Sequence, residues 1–193
     1  MDSVVATNKD FFRNRIHPKK FALLVACASI TMMFAAFTSA YIVRQAAGNW
    51  LEFKLPNVFF VNTAVILLSS LAGHMAYRSY IKGNERMYRL LLVVTFILGL
   101  AFVALQYQGW LALVDIGVEL TTNPSGSFIY VISGVHAAHV LGGLAALAIA
   151  LLHAFTLPYK VTEKRKLRFE MTLIYWHFVD LLWVYLLVFF IIQ

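Results

Sequence analysis

Five long apolar stretches dominate this sequence, and each can cross the hydrocarbon core of a bilayer, which is about 30 Å thick. At 1.5 Å of rise per residue, a helix needs roughly 20 residues to do so. The stretches are Phe21 to Val43, Val58 to Tyr77, Met87 to Val114, Ser127 to Leu157 and Met171 to Ile192. Hydrophobic residues make up 61% of the chain and charged residues 13%, which is too apolar for a soluble domain. The sequence predicts an all-α membrane protein, with a polar tail (residues 1–20) and one domain of five transmembrane helices (residues 21–193).

The basic residues are distributed unevenly between the segments outside these stretches. Fourteen of the 16 Lys and Arg residues fall in the tail and in the second and fourth connections, if Arg89 in the first turn of the third stretch is included, and these segments share one side of the membrane. Arg44 and Lys54 are the two on the opposite side. Because cytoplasmic segments carry an excess of Lys and Arg, we expect the N-terminus to be cytoplasmic and the C-terminus to be outside. The net charge of +7 then indicates contact with anionic lipid headgroups rather than with nucleic acid.

Ionisable residues lie inside the last apolar stretch, at His177 and Asp180. Their spacing of three places them on one helix face. A charge at this depth costs roughly 3 kcal/mol on insertion scales, so both side chains should face protein. When depth is counted from the ends of the stretches, His136 and His139 of the fourth stretch are level with Asp180. We expect these four residues to form a buried, structural polar cluster that joins the last two helices.

Small residues recur at every fourth position of the fourth stretch. They are Gly134, Ala138, Gly142, Ala146 and Ala150. Such a stripe lets two helix backbones approach closely. It therefore predicts a packing surface, either for a partner subunit or for another helix of this chain.

Two segments of the sequence resemble signature segments of a known family. Residues 175–183, YWHFVDLLW, and residues 134–143, GVHAAHVLGG, are similar to those of subunit III of the haem-copper terminal oxidases, the cytochrome c oxidase subunit III family. The resemblance runs from about Lys20 onward and includes Gln106, which should hydrogen-bond a neighbouring helix. The chain departs from the family pattern where Ile30 replaces an intramembrane glutamate, and where Gly109 precedes Trp110 in place of an acid.

The resemblance implies the function of this chain. It implies a non-catalytic subunit III of an aerobic respiratory oxidase, most directly a cytochrome c oxidase, which reduces O2 to water and pumps protons. Such a subunit stabilises the catalytic subunit and supports proton uptake at the inner surface, where His74, Arg78 and His153 would shape the local field. The short five-helix form is similar to bacterial members of the family, which implies the bacterial cell membrane.

The resemblance also implies the cofactors and partners. The haems and copper belong to partner subunits, and no metal or cofactor is expected in this chain, whose single cysteine is Cys27. The implied partners are the catalytic subunit I, subunit II, bound phospholipid and, in a larger assembly, other respiratory complexes.

Four alternatives remain open from the sequence. A quinol oxidase subunit III and a nitric oxide reductase accessory protein belong to the same family. A five-helix membrane cytochrome b is disfavoured because His136 and His139 are one turn apart, whereas two stacked haems need histidines several turns apart. A proton-coupled transporter is disfavoured because five spans give no even inverted repeat.

Overall fold

A computed structural model describes residues 17–121 and 123–193, which form five α-helices and no strand. The helices are α1 (Pro18–Ala46), α2 (Val58–Ile81), α3 (Glu85–Asp115), α4 (Pro124–Thr156) and α5 (Glu163–Ile192). Each of the five is long and apolar enough to cross a membrane, which confirms the predicted fold class. Residues 1–16, which make up most of the predicted tail, lie outside the described residues.

The helices extend beyond the apolar stretches because capping side chains determine where they begin. Asn123 Oδ1 accepts a hydrogen bond from the Ser125 backbone N–H (3.0 Å) at the start of α4, where Pro124 supplies a preset backbone angle. Thr162 Oγ1 accepts from the Arg165 N–H (3.4 Å), so α5 begins with polar turns well before Met171.

Four of the helices form a closed ring. In this ring α2 packs on α3, α3 on α4, α4 on α5, and α5 returns to α2. Helix α1 lies outside the ring, where it packs against α4 and α5. A hydrogen bond of 2.9 Å between Thr38 Oγ1 and Tyr185 OH links α1 to α5. Ile30, the departure from the family pattern, is half-buried and packs against the core, so an apolar side chain suits its surroundings.

The three most basic parts of the described chain meet at one end of the bundle. Lys20 at the start of α1 forms a 2.8 Å ion pair with Glu170 of α5. Tyr80 OH donates to the Lys160 carbonyl (3.2 Å), and Tyr159 OH donates to the Tyr80 carbonyl (2.6 Å). Burial raises the pKa of Tyr159, so its phenol stays protonated and remains a donor at neutral pH. We refer to this end as the basic end.

The opposite end is closed by one asparagine and an aromatic contact. Asn123 Nδ2 donates to the Asn49 carbonyl (3.3 Å), while its Oδ1 also accepts from the Leu51 N–H (3.3 Å). Tyr41 of α1 packs edge-on against Trp50, with ring centroids 4.6 Å apart. These contacts fix the α1–α2 connection over the start of α4.

Candidate functional site

Trp176 of the YWHFVDLLW segment fills the centre of the four-helix ring. It is fully buried, and its ring lies against two glycines of neighbouring helices. A Cβ atom added to Gly99 or to Gly143 would lie 2.8 Å from the indole, so only glycine leaves room for the ring. Trp176 Nε1 donates to Ser69 Oγ (3.2 Å), and the Ser69 hydroxyl donates to the Thr95 carbonyl (2.9 Å). This tryptophan therefore positions α5 against the other three helices of the ring.

Trp183 lies two turns further along the same face of α5. Its Nε1 donates to Thr63 Oγ1 of α2 (2.9 Å). The indole stacks on Phe59 with ring centroids 6.1 Å apart, and it meets Phe102 edge-on at 5.3 Å. The His136 ring also stacks against the Trp183 indole. The two ring centroids are 5.1 Å apart, and the angle between the ring planes is 28°. The part of the core between the two tryptophans is therefore buried, and it also contains polar side chains.

Asp180 lies between the two tryptophans on α5 and is 3% exposed. Within the described residues, neither of its carboxylate oxygens has a hydrogen-bond partner. Ser70 of α2 approaches the carboxyl, but the hydrogen bond of its hydroxyl is with His177 Nδ1, at 2.5 Å. The local sequence places Asp180 in the core because Trp176 and Trp183 occupy the same helix face.

The two histidines of α4 differ in their surroundings. The His136 ring is fully buried, and neither of its nitrogens has a hydrogen-bond partner in the described chain. His139 Nδ1 is hydrogen-bonded to the Val135 carbonyl of its own helix (2.8 Å). The His139 ring packs edge-on against Phe34 of α1, with ring centroids 5.8 Å apart. Tyr175 OH donates to the His139 carbonyl (3.1 Å).

The structure therefore separates the four predicted cluster residues into distinct contacts. Asp180 and His136 lie in the buried core beside Trp183, His177 faces Ser70, and His139 faces α1. In the described part of the chain, no ion pair or hydrogen bond joins Asp180 to any of the three histidines. The neighbours of the three histidine rings are mainly aromatic rings and, for His177, the Ser70 hydroxyl.

The small-residue stripe of α4 faces away from the centre of the ring. A Cβ atom added to Gly134 would meet nothing within 4 Å, and Ala138 and Gly142 are exposed. The tight contact with Trp176 is made by Gly143, one position along from the stripe. The part of the stripe from Gly134 to Gly142 is therefore open to contacts outside the four-helix ring, whereas Ala150 packs against the core.

A cavity of about 530 Å³ opens at the basic end between α1, α4 and α5. Apolar residues such as Leu23 and Ile149 line it, together with Ala146 and Ala150 of the stripe. Its basic residues are Lys19, His153, Lys160, Lys164, Arg165 and Arg168. The helix pattern of the sequence did not predict this cavity, although the basic α4–α5 connection beside an apolar helix is a feature that could have indicated it.

The three residues predicted to shape the inner-surface field fall on two faces. His153 lines the cavity, whereas His74 and Arg78 are exposed on α2. The His74 ring lies 6.2 Å from the His177 ring, measured between centroids.

Two further family positions have clear packing roles. Gln106 Oε1 accepts from Asn62 Nδ2 (2.9 Å) across α2 and α3, which confirms the expected bond to a neighbouring helix. A Cβ atom at Gly109 would lie 3.1 Å from the Phe59 ring, so this departure from the family pattern suits the close approach of α2 and α3. No group of three or more His, Cys, Asp or Glu among the described residues could hold a metal ion.

Comparisons with known proteins agree with this architecture. The family model for cytochrome c oxidase subunit III matches residues 20–192. The probable cytochrome c oxidase subunit 3 of Nocardia farcinica is 31% identical, and that of Mycobacterium bovis is 32% identical, with 95% of each chain covered in both cases. The cytochrome bo(3) ubiquinol oxidase subunit 3 of Buchnera aphidicola is 28% identical over 91% of this chain and 93% of its own length.

The five apolar helices and the enclosed aromatic core define a multi-pass helical-bundle membrane protein. This chain belongs to the cytochrome c oxidase subunit III family, as the resemblance predicted. It is accordingly a non-catalytic subunit of a haem-copper oxidase, and its partners are other subunits of that complex.

Proposed function

We propose that this chain is subunit III of a bacterial cytochrome c oxidase in the plasma membrane, where it assembles with the catalytic subunit I and with subunit II. The observation that carries this proposal is the match to actinobacterial cytochrome c oxidase subunits over 95% of both chains. Because 95% of each relative is covered as well, the similarity extends over nearly the whole of those subunits.

The second candidate is subunit III of a quinol oxidase, which the Buchnera relative favours. The electron donor is bound by other subunits, so the geometry of this chain supports both candidates equally. Oxidation assays on the purified complex distinguish them. Reduced cytochrome c should be oxidised rapidly and ubiquinol slowly, and the opposite result would replace the first proposal with the second.

The buried core supports a structural role for this subunit. Trp176 and Trp183 pack into spaces that Gly99, Gly143 and Phe102 provide, and these contacts give the four-helix ring one defined arrangement. We propose that Asp180, His136, His139 and His177 belong to this structural core. The rigid ring would present a fixed surface to the catalytic subunit and stabilise it, through the part of the stripe around the exposed residues Ala138 and Gly142.

The cavity at the basic end is suited to an anionic phospholipid. Its lining combines apolar side chains from α1 and α4 with basic residues of the α4–α5 connection, including Lys160, Lys164 and Arg168. A phosphate headgroup would contact the basic residues while an acyl chain follows the apolar side chains, as at basic pockets between transmembrane helices generally.

We further propose that the basic end supports proton uptake by a neighbouring subunit. The exposed charged residues at this end include Arg78, Lys164 and Arg168, and the side chains of His74 and His153 are exposed at the same end. Such a surface changes the local electrostatic potential that protons encounter as they approach the membrane.

A further inference from the structure

The first turns of α1 lie between two cavities at the basic end. The cavity of about 530 Å³ described above has Lys19 and Leu23 of α1 in its lining. A second cavity, of about 700 Å³, lies between α1, α5 and the end of α2, and its lining includes Lys20 and Glu170. Lys19 lines both cavities, so the first turns of α1 form part of the wall between them. We name these turns, residues 18–26, the α1 arm.

The α1 arm is packed less closely than the rest of its helix. None of the side chains from position 18 to position 26 is buried, and Phe21 is 61% exposed. The buried residues of α1 all lie beyond the arm: Cys27, Phe34, Thr38 and Tyr41. A segment that buries so few contacts can separate from its neighbours at a low cost in free energy, whereas the packed part of the helix stays in place.

Two hydroxyl groups lie where the arm joins the packed part of α1. Ser29 Oγ donates to the Val25 carbonyl (3.0 Å), and Thr31 Oγ1 donates to the Cys27 carbonyl (2.9 Å). A side-chain hydroxyl that bonds the carbonyl four residues back competes with the backbone hydrogen bonds and often bends a helix. The helix is therefore easier to bend beside the arm.

An ion pair holds the arm against α5. Lys20 Nζ and Glu170 Oε2 are 2.8 Å apart, and both side chains are partly exposed. Such a pair contributes little to stability, so it opens often through thermal motion. Because Glu170 belongs to the four-helix ring, the ion pair determines whether the arm lies against the ring or away from it.

We propose that the α1 arm is a lateral gate, closed by the Lys20–Glu170 ion pair, through which a phospholipid enters and leaves the cavity between α1, α4 and α5. This inference rests on the proposed function of that cavity as a site for an anionic phospholipid. In the closed position, Lys19 and Leu23 cover one side of the cavity. When the ion pair opens, α1 bends near Ser29 and the two cavities join, so an acyl chain can pass sideways between α1 and α5.

Lipid exchange in the purified complex tests the gate. The probe is deuterated phosphatidylglycerol in mixed detergent micelles, and native mass spectrometry follows its replacement of the bound unlabelled lipid. Glu170→Gln removes the charge that holds Lys20 and keeps the size of the side chain. It should speed exchange about twofold to fivefold, the range for a partly exposed ion pair. The control Glu163→Gln removes an equal charge from the exposed start of α5 and should leave the rate unchanged.

The two possible failures of this exchange experiment are distinguishable. Equal exchange rates for Glu170→Gln and the unmodified complex would overturn the gate and leave the lipid site in place. A complex that binds no phosphatidylglycerol would contradict the proposed function of the cavity.

A distance measurement tests the movement of the arm without any lipid. In a Cys27→Ala background, spin labels are attached to cysteines that replace Phe21 in the arm and Leu152 on α4, which are 61% and 63% exposed. The control pair joins Leu152 to Met32, which is 74% exposed in the packed part of α1. Glu170→Gln should add longer distances to the first pair and leave the control pair unchanged. An unchanged first pair would overturn the proposal, and so would equal lengthening of both pairs, because the whole helix would then move.

Discussion

Trp176 and Ser69 are joined by a 3.2 Å hydrogen bond from the indole Nε1 to the hydroxyl oxygen, and both side chains are fully buried. Because Ser69 in turn donates to the Thr95 carbonyl, this pair connects α5, α2 and α3. An interhelical hydrogen bond in a membrane contributes only about 0.6 kcal/mol on average. Most of the stability at this position therefore comes from the packing of the indole between Gly99 and Gly143.

The first prediction concerns Gly143. In Gly143→Ala the new Cβ atom would lie 2.8 Å from the Trp176 ring, so the ring must shift. We expect a loss of about 1 to 3 kcal/mol, typical of overpacking, measured as a lower thermal unfolding temperature of the purified protein. Gly134→Ala is the matched control, since its Cβ atom meets nothing within 4 Å. Equal unfolding temperatures for the two variants would show that Trp176 does not depend on this contact.

The neighbouring glycine should behave differently. Gly142 is exposed on the stripe, so Gly142→Leu should leave the five-helix fold intact and weaken association with the complex. Copurification of partner subunits with the tagged variant measures this effect, and Ala104→Leu on the exposed face of α3 is the control. Full copurification of Gly142→Leu would exclude the stripe as the subunit interface.

Membrane orientation gives the next prediction. We expect the basic end to be cytoplasmic, because 14 of the 16 Lys and Arg residues belong to segments on that side. In a Cys27→Ala background, an impermeant thiol reagent applied to intact cells should label Lys54→Cys, while Lys164→Cys should react only after permeabilisation. Both positions are exposed in the structure. Labelling of position 164 in intact cells would reverse the assigned orientation.

The cavity at the basic end should retain an anionic phospholipid through purification. Replacing both Lys164 and Arg168 with serine removes two basic residues from its lining, each of which is worth about 1 kcal/mol towards an anionic headgroup. We expect mass spectrometry to show loss of that lipid from the complex. The control replaces Lys82 and Arg86, exposed basic residues outside the cavity, and should keep the lipid. Identical lipid content in the two variants would argue against this site.

Asp180→Asn tests the structural role proposed for this buried carboxyl group. The substitution keeps the shape of a side chain that is 3% exposed between Trp176 and Trp183, so the helices should pack as before. We expect normal assembly and unchanged oxidase turnover per assembled complex. Normal assembly with a collapse of proton-coupled turnover would show that Asp180 carries protons and that the structural interpretation is wrong.

The sequence predicted the five helices because apolar length alone determines what can cross a bilayer. The apolar stretches begin later than helices α4 and α5 do, because capping by Asn123 and Thr162 lets these two helices begin in polar sequence. Hydropathy contains no information about such polar turns. The family was also recognisable from the sequence, because two long segments match it in the correct order.

The contacts of the polar residues could not be predicted in the same way. Depth along a helix follows from counting residues, but rotation about the helix axis depends on packing. Gly142 and Gly143 are adjacent in sequence, yet only Gly143 faces Trp176. For the same reason the spacing of His177 and Asp180 placed them on one helix face in a common cluster, whereas the hydrogen-bond partner of His177 in the structure is Ser70.

Native purification of the tagged chain in mild detergent tests directly whether it is a non-catalytic oxidase subunit. We expect haem-bearing partner polypeptides to copurify with the chain, and the chain separated from them to show no reduced haem absorption band. Isolation of the chain without any haem-bearing partner, or a haem band that stays with the separated chain, would contradict its role as a non-catalytic oxidase subunit.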